Sequence, residues 1–321
     1  MAGGQERVLR RRIRSVASTQ KITRAMELIA ASRIVRAQQA IAAARPYVSK
    51  MREVVEHLAD TPDAATHPLF REVEAVQRVA IVLVTADRGL AGGYNVQIIR
   101  TVERMVREHR AAGREVQLVP FGKKGDNHFR RRNFPIITSI TGVSERPTYA
   151  DARRAVTAVM QPFEAGELDQ IELVYTRFVS LGSQVATVRQ LVPLVRSDVE
   201  TVATADHREV PGHKTDYEFE PEPGEILDRL LPSWLVAEVL AALLESAASE
   251  QASRQRAMKA ATDNADELIK NLRRVMNRAR QDSITTEIME IVGGAEALRQ
   301  SRSDPGGSAA HDIFETAAES A

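Results

Sequence analysis

Apolar and small residues recur in steps of four and three along the first sixty residues, at Ala30, Ile34, Ala37, Ile41, Ala44, Val48, Met51, Val55 and Leu58. This is heptad spacing, and it predicts one long helix over residues 5–59 with a seam that another helix must cover. Upstream, Leu9, Ile13 and Val16 keep the spacing, and Ile22, Met26 and Ile29 resume it. Pro46 lies inside the stretch and is expected to kink the helix or remove one hydrogen bond. Asp60-Thr61-Pro62-Asp63 ends it.

The pattern then changes. Val79 to Thr85 is a β-branched, apolar run of the kind found in strands buried on both faces. A turn rich in glycine, Ala86 to Asn95, leads into a predicted helix over 95–112, with Ile98, Val102, Met105 and Val106 on one side and Gly113 at its end. Strands are predicted at 116–121 and 135–140, and helices at 123–132 and 149–163. Two further strands, 171–180 and 184–195, are joined by the hairpin turn Leu181-Gly182-Ser183. Repeated strand–helix units with short links indicate an open α/β sheet with an antiparallel edge.

Residues 201–225 are polar, carry Pro211, Pro221 and Pro223, and read as a connection. Helix returns from Ile226 to about Arg299. Met258, Ala261, Ala265, Leu268, Leu272, Val275 and Ala279 again step by three and four, and after a break at Gln281-Asp282-Ser283 the seam resumes at Ile284, Ile288, Ile291, Ala295 and Leu298. Such a break loosens a supercoil or marks a change of partner. Residues 301–321, rich in Ser, Gly, Pro and Ala, read as a disordered tail.

Two terminal seams that flank one globular insert imply an architecture. The insert's ends lie close together, so the helices entering and leaving it can pair antiparallel. The fold class expected is α/β plus a long antiparallel coiled coil. The domains expected are a helix over 1–60, an α/β domain over 76–200, a helix over 222–300 and the tail. Each helix would extend about 80 to 110 Å, far more than a core requires. A dimerisation coiled coil is one use of such helices; reaching into a partner is another.

Composition narrows the choices. With no cysteine, disulfide scaffolds, Cys-based metal sites and Cys nucleophiles are excluded. The formal net charge is +1 over the 321 residues, which argues against a dedicated nucleic-acid binder. The local basic run Arg10-Arg11-Arg12 with Arg14 is a solvated helix face, a phosphate-backbone contact or a match for an acidic ring. No Phe, Tyr or Trp precedes Tyr47, so stacking residues for single-stranded nucleic acid are missing. The Arg-rich, acid-poor start has the composition of a mitochondrial transit peptide, but its amphipathic pattern continues well past any cleavable length. No stretch approaches the roughly 20 uninterrupted apolar residues of a membrane span, and Trp234 to Leu244 is interrupted by Glu238. Any membrane contact is expected to run through a partner.

Candidate chemistry is sparse. Gly89, Gly92 and Gly93 sit between a strand and a helix, where phosphate loops sit, but the spacing is not a dinucleotide fingerprint and no P-loop occurs. A tight turn is the simpler reading. The seven histidines form no pair at metal-ligand spacing. No catalytic residue, cofactor site or metal site is assigned. Gln251 and Arg254 fall where the second seam calls for apolar residues, as do Arg280 and Gln281 at its break. Polar seam residues specify register or meet a partner.

Several blocks resemble those of the F-type ATP synthase gamma subunit. They are Gln20 to Glu27, Arg45-Pro46-Tyr47, Asp87 to Leu90 with Gly92 to Asn95, Ser249 to Gln251, Met258 to Ala265, and Asn277 to Gln281 with Ile284 to Ile288. The resemblance reaches to about Leu298. It implies a central shaft inside a ring of alpha and beta subunits, with the insert beside the epsilon subunit and the membrane c-ring. It also implies a peripheral location on the cytoplasmic face of a bacterial plasma membrane. Such a subunit does no bond chemistry. An asymmetric shaft biases three otherwise equal sites by differential contact. By position, Met26, Arg254, Arg280, Gln281 and Thr285 match family residues that contact the alpha/beta ring. Replacing Arg254 or Gln281 by alanine is then expected to impair ATP turnover by the complex while leaving the chain folded. The cysteine pair that makes the chloroplast form redox-sensitive is missing, and Arg24 and Ala91 depart from relatives. A self-pairing scaffold and a nucleotide-binding enzyme remain the alternatives.

Overall fold

A computed structural model describes residues 2–59, 61, 67–70, 75–194 and 222–303. The elements are α1 (Ala2–Ala59), a 3-10 turn (Pro68–Phe70), β1 (Arg78–Val84), α2 (Tyr94–Ala111), β2 (Glu115–Phe121), α3 (Lys123–Arg130), α4 (Tyr149–Glu164), β3 (Gln170–Phe178), β4 (Gln184–Val192) and α5 (Pro223–Ser303). The expected disordered tail and most of the 201–225 connection lie outside the described residues, although 301–303 and 223–225 are helical parts of α5.

The sheet has the order β2-β1-β3-β4, with β1 parallel to β2 and β3, and β3 antiparallel to β4. It is the open α/β sheet with an antiparallel edge. Because side chains alternate along a strand, β1 feeds two cores. Val79, Ile81 and Leu83 pack with Ile98, Val102, Met105 and Val106 of α2 and Phe129 of α3. Ala80, Val82 and Val84 face the larger core, built from α4, from Val55 and Leu58 at the end of α1, and from Leu227 through Leu243 at the start of α5. Local signals agree with these elements. Thr148 and Asp151 form a reciprocal capping box at the start of α4. Gly113, at φ +75°, follows the end of α2.

Residues 135–140 do not form the expected strand. They make only isolated bridges, Leu118 with Ile136 and Phe121 with Ile140. Leu118 N donates to Pro135 O and Ile137 N to Leu118 O, then Ile140 N donates to Pro120 O and Gly122 N to Ile140 O; between them Pro120 of β2 has no N–H to give Ile137 O, so the ladder breaks there.

The chain divides into two compact units. One combines residues up to Ile22 with those from Thr262 onward, and the other is Thr23–Ala261. In each, α1 and α5 touch. Gln20 Nε2 donates to Asp266 Oδ1 at 2.6 Å in the first, and Arg52 pairs with Glu238 at 2.5 Å in the second. The partner numbers fall as the α1 numbers rise, so the helices pair antiparallel. α1 runs through Pro46 without a helical break, so the proline's cost is its missing N–H rather than an interruption.

The seam differs in register from the expected one at two places. In α1 the inward positions upstream of Ala30 include Gln20 and the buried Thr23, while Ile22 and Ile29 are exposed. In α5 the buried set is Met258, Thr262, Ala265, Ile269 and Leu272, so that Ile269 is 6% exposed where its neighbour Leu268 is 40% exposed. Polar Thr23 and Thr262 occupy seam positions, and a reading that follows hydrophobicity slides to the apolar neighbour. One stretch of α5 is long and apolar enough to cross a membrane, with a mean hydropathy of 1.5, but 61% of it is buried, in keeping with α5's place in the larger core.

Candidate partner-contact site

The residues singled out from sequence fall in different settings. Met26 is half-buried on α1 and Arg254 is buried in α5, both within the Thr23–Ala261 unit. Arg280, Gln281 and Thr285 are exposed on the part of α5 that belongs to the other unit. There Thr285 Oγ1 donates back to Gln281 O at 3.0 Å. Around these polar residues the surface is apolar: Ile284, Ile288, Met289, Ile291, Val292 and Leu298 are exposed, Ile291 to 72%. The helix is therefore amphipathic over a stretch where this chain, among its described residues, offers nothing to cover it.

Arg254 stands in a different environment. Its Nη2 pairs with Glu250 Oε1 at 2.7 Å and donates to Gly89 O at 3.2 Å, so it links α5 to the β1–α2 turn. Glu250 is 1% exposed, and burial pushes its carboxyl above the usual range against the pull of Arg254. The neighbouring Tyr94 is wholly enclosed; burial, followed by the nearby Glu250 charge, raises its phenol strongly. Gln251 is also buried, and its amide has no hydrogen-bond partner among the described residues. Arg254 thus acts on its surroundings through the turn it holds. Because Glu250 would be left uncompensated, its replacement is a packing and charge defect as well as a surface change.

The rest of the turn is built to hold one shape. Thr85 Oγ1 donates to Phe121 O at 2.7 Å and accepts from Gly125 N at 2.9 Å. Asn95 Oδ1 accepts from Ala86 N at 2.8 Å. Asp87 accepts from the backbone of Lys123, Gly142 and Ser144 at 3.1, 2.8 and 3.0 Å. Burial alone would raise the Asp87 carboxyl, but these N–H donors outweigh it and hold it below its usual range. Gly122, at φ +82°, brings its α-carbon so close to Thr85 that an added Cβ would stand 2.1 Å from the Thr85 carbonyl oxygen. Gly92, at φ +56°, and Asp87 therefore have structural work in the turn, and Gly122 lets the end of β2 approach it. An open cleft of about 310 Å³ beside Gly92 and Gly93 is lined by Thr176, Gln184, Ser253 and Arg256. Its arginine is already engaged, donating to Gly182 O and Gln184 Oε1. Among the described residues no group of three or more His, Asp or Glu is placed to hold a metal ion.

Sequence reasoning found Arg254 and Gln251 by their polarity in an apolar register. It passed over Glu250 and Tyr94, whose partnership depends on the turn from residue 86 to 95 folding against α5. It also passed over Glu238, noted only as an interruption of an apolar run.

Comparison with known proteins bears on this arrangement. The family model described as ATP synthase matches residues 5–298. The ATP synthase gamma chain of Frankia casuarinae is 47% identical over 299 residues, covering 92% of this chain and 98% of its own. That of Salinispora tropica is 45% identical over 314 residues, covering 94% and 99%. Among solved structures, a chain of the central stalk and c-ring of the Tetrahymena thermophila mitochondrial ATP synthase aligns with a TM-score of 0.55 at 26% identity, over 75% of this chain and 99% of that one. A chain of the Euglena gracilis mitochondrial enzyme shares the fold with a TM-score of 0.65 at 16% identity, over 96% and 98%. With paired terminal helices, the inserted α/β sheet and relatives matched over almost their whole length, the chain belongs to the ATP synthase gamma chain family.

Proposed function

We propose that this protein is the central rotor shaft of a proton-translocating ATP synthase, a non-catalytic subunit that turns inside a ring of alpha and beta subunits. The observation that carries this reading is the exposed stripe of Ile284, Ile288, Ile291, Val292 and Leu298 on α5. The described residues of α1 leave this stretch uncovered. A bare apolar stripe of this length needs an outside cover. A collar of other subunits supplies one while leaving the helix free to turn.

In this reading Arg280, Gln281 and Thr285 are the polar contacts to the ring, set among apolar ones. Met26 meets the ring from α1, and Arg254 supports the contact by fixing α5 against the 86–95 turn. The insert, about 76–200, is the foot that meets the epsilon subunit and the membrane c-ring. The helices over 1–60 and 222–300 are the shaft. The complex sits on the cytoplasmic face of a bacterial plasma membrane, which this chain touches only through its partners. Unequal faces of the two helices present different surfaces to three otherwise equal sites, and each site's nucleotide affinity shifts with shaft angle.

Reconstitution with alpha and beta subunits tests the proposal. One copy of this chain per ring, with ATP hydrolysis that depends on its presence, is the expected result. Self-association that leaves no chain in the ring, or turnover by the lone chain, would refute it.

A further inference from the structure

Glu238 lies in α5 with its side chain 3% exposed, and it is held by two arginines from two other elements. Arg52 of α1 reaches one carboxylate oxygen at 2.5 Å, and Arg189 of β4 reaches the other. The arginines are 17% and 29% exposed, and Arg189 also lies 6.0 Å from the Tyr175 ring of β3. All these groups belong to the Thr23–Ala261 unit. A single buried carboxylate therefore joins both long helices and the edge strand of the sheet.

We propose that Glu238 is the positioning residue that makes α1, α5 and the sheet twist as one body, and so sets the torsional stiffness between shaft and foot; this rests on the rotor reading. The apolar contacts around it are non-directional and resist separation more than sliding. Charge-assisted hydrogen bonds are directional and roughly twice as strong as neutral ones. β4 needs such a fixture because it pairs with β3 alone among the described strands. The two guanidiniums use separate oxygens, so a shift of either helix or strand past the others strains a short charged contact.

Two measurements test this. In the free full-length chain, hydrogen exchange is followed in wild type, Glu238→Gln and Glu238→Ala. Both arginines are partly exposed and can turn to water, so both variants are expected to fold. Exchange over Gln184–Val192 and over residues 50–58 should rise about tenfold in the alanine variant and less in the glutamine one, while α2 stays unchanged. In the assembled complex with its ring immobilised, a bead is attached at Arg100→Cys, a unique thiol because the chain has no other cysteine. The angular variance of the stalled bead should rise about twofold in the alanine variant, with the glutamine variant between. Unchanged exchange, or unchanged variance in a complex that rotates normally, overturns the proposal. A wild-type bead that does not turn with ATP would instead overturn the rotor reading.

Discussion

Arg254→Met removes the positive partner of Glu250 with little change in side-chain length. In the pair, the Arg254 side chain is 6% exposed and that of Glu250 is 1% exposed, so solvent does little to screen what is lost. Breaking one side of such a pair costs about 3–5 kcal/mol, because a carboxylate remains without compensation. That is about two to three and a half powers of ten in the unfolding equilibrium. Replacing both residues, as Glu250→Leu with Arg254→Met, removes the charge problem and should recover most of the loss. The assay is urea unfolding of the full-length chain, read at constant slope. pH adds a second axis. Burial holds the Glu250 carboxyl above its ordinary value of 4.5, so between the two values the folded state keeps a proton that the unfolded state gives up. Stability from this group is complete below the unfolded value and falls as pH rises through it toward the folded one. Removing Arg254 takes away the charge that opposes the shift and extends the falling region upward. The deficit of Arg254→Met should therefore be larger near pH ~7 than near pH ~5. A single variant that loses less than about 1 kcal/mol, or a double variant no better than the single, would refute the view of Arg254 as a buried counter-charge.

Gly122→Ala should destabilise the chain by about 3 kcal/mol or more, since the new Cβ meets the Thr85 carbonyl oxygen at 2.1 Å in a left-handed backbone; thermal unfolding reads the change. Ile288→Asp should leave the free chain's unfolding midpoint within about 0.5 kcal/mol of wild type, because the residue is exposed, yet weaken assembly with alpha and beta subunits as followed by co-purification. Gln281→Ala should likewise leave the free chain folded and lower ATP turnover of the reconstituted complex; unchanged turnover would remove Gln281 from the contact set.

Much of this architecture was legible in the chain. The heptad steps from Ala30 to Leu58 match an inward face that is buried or half-buried at every position. The β1 run was readable because both its faces are covered. Elements that depend on polar exceptions were harder. Thr23 and Thr262 are buried at seam positions, which no hydrophobicity pattern reveals. The 135–140 segment has strand composition, but Pro120 of β2 facing it lacks the N–H that a continuous ladder needs, and isolated bridges result. Glu238 and Glu250 resemble ordinary solvated carboxylates in sequence; Arg254 lies one helical turn from Glu250, a spacing the chain itself shows, but only the tertiary structure buries that pair and brings Arg52 and Arg189 to Glu238. The sheet of the expected α/β domain shares its larger core with residues of α1 and α5 as well as α4, a pooling of distant segments that the pattern along the chain does not show.

The larger core draws Val55 and Leu58 from near the beginning of the chain, the sheet from its middle, and Leu227 to Leu243 from much later. During synthesis, therefore, α4 can cover part of that side of the sheet early, but the share owed to α5 arrives only with the last third of the chain. Until then the nascent chain carries an apolar surface that is only partly covered. Transiently exposed apolar surface is prone to aggregation, so the separation of these core segments along the chain sets the interval in which this subunit is most exposed to it.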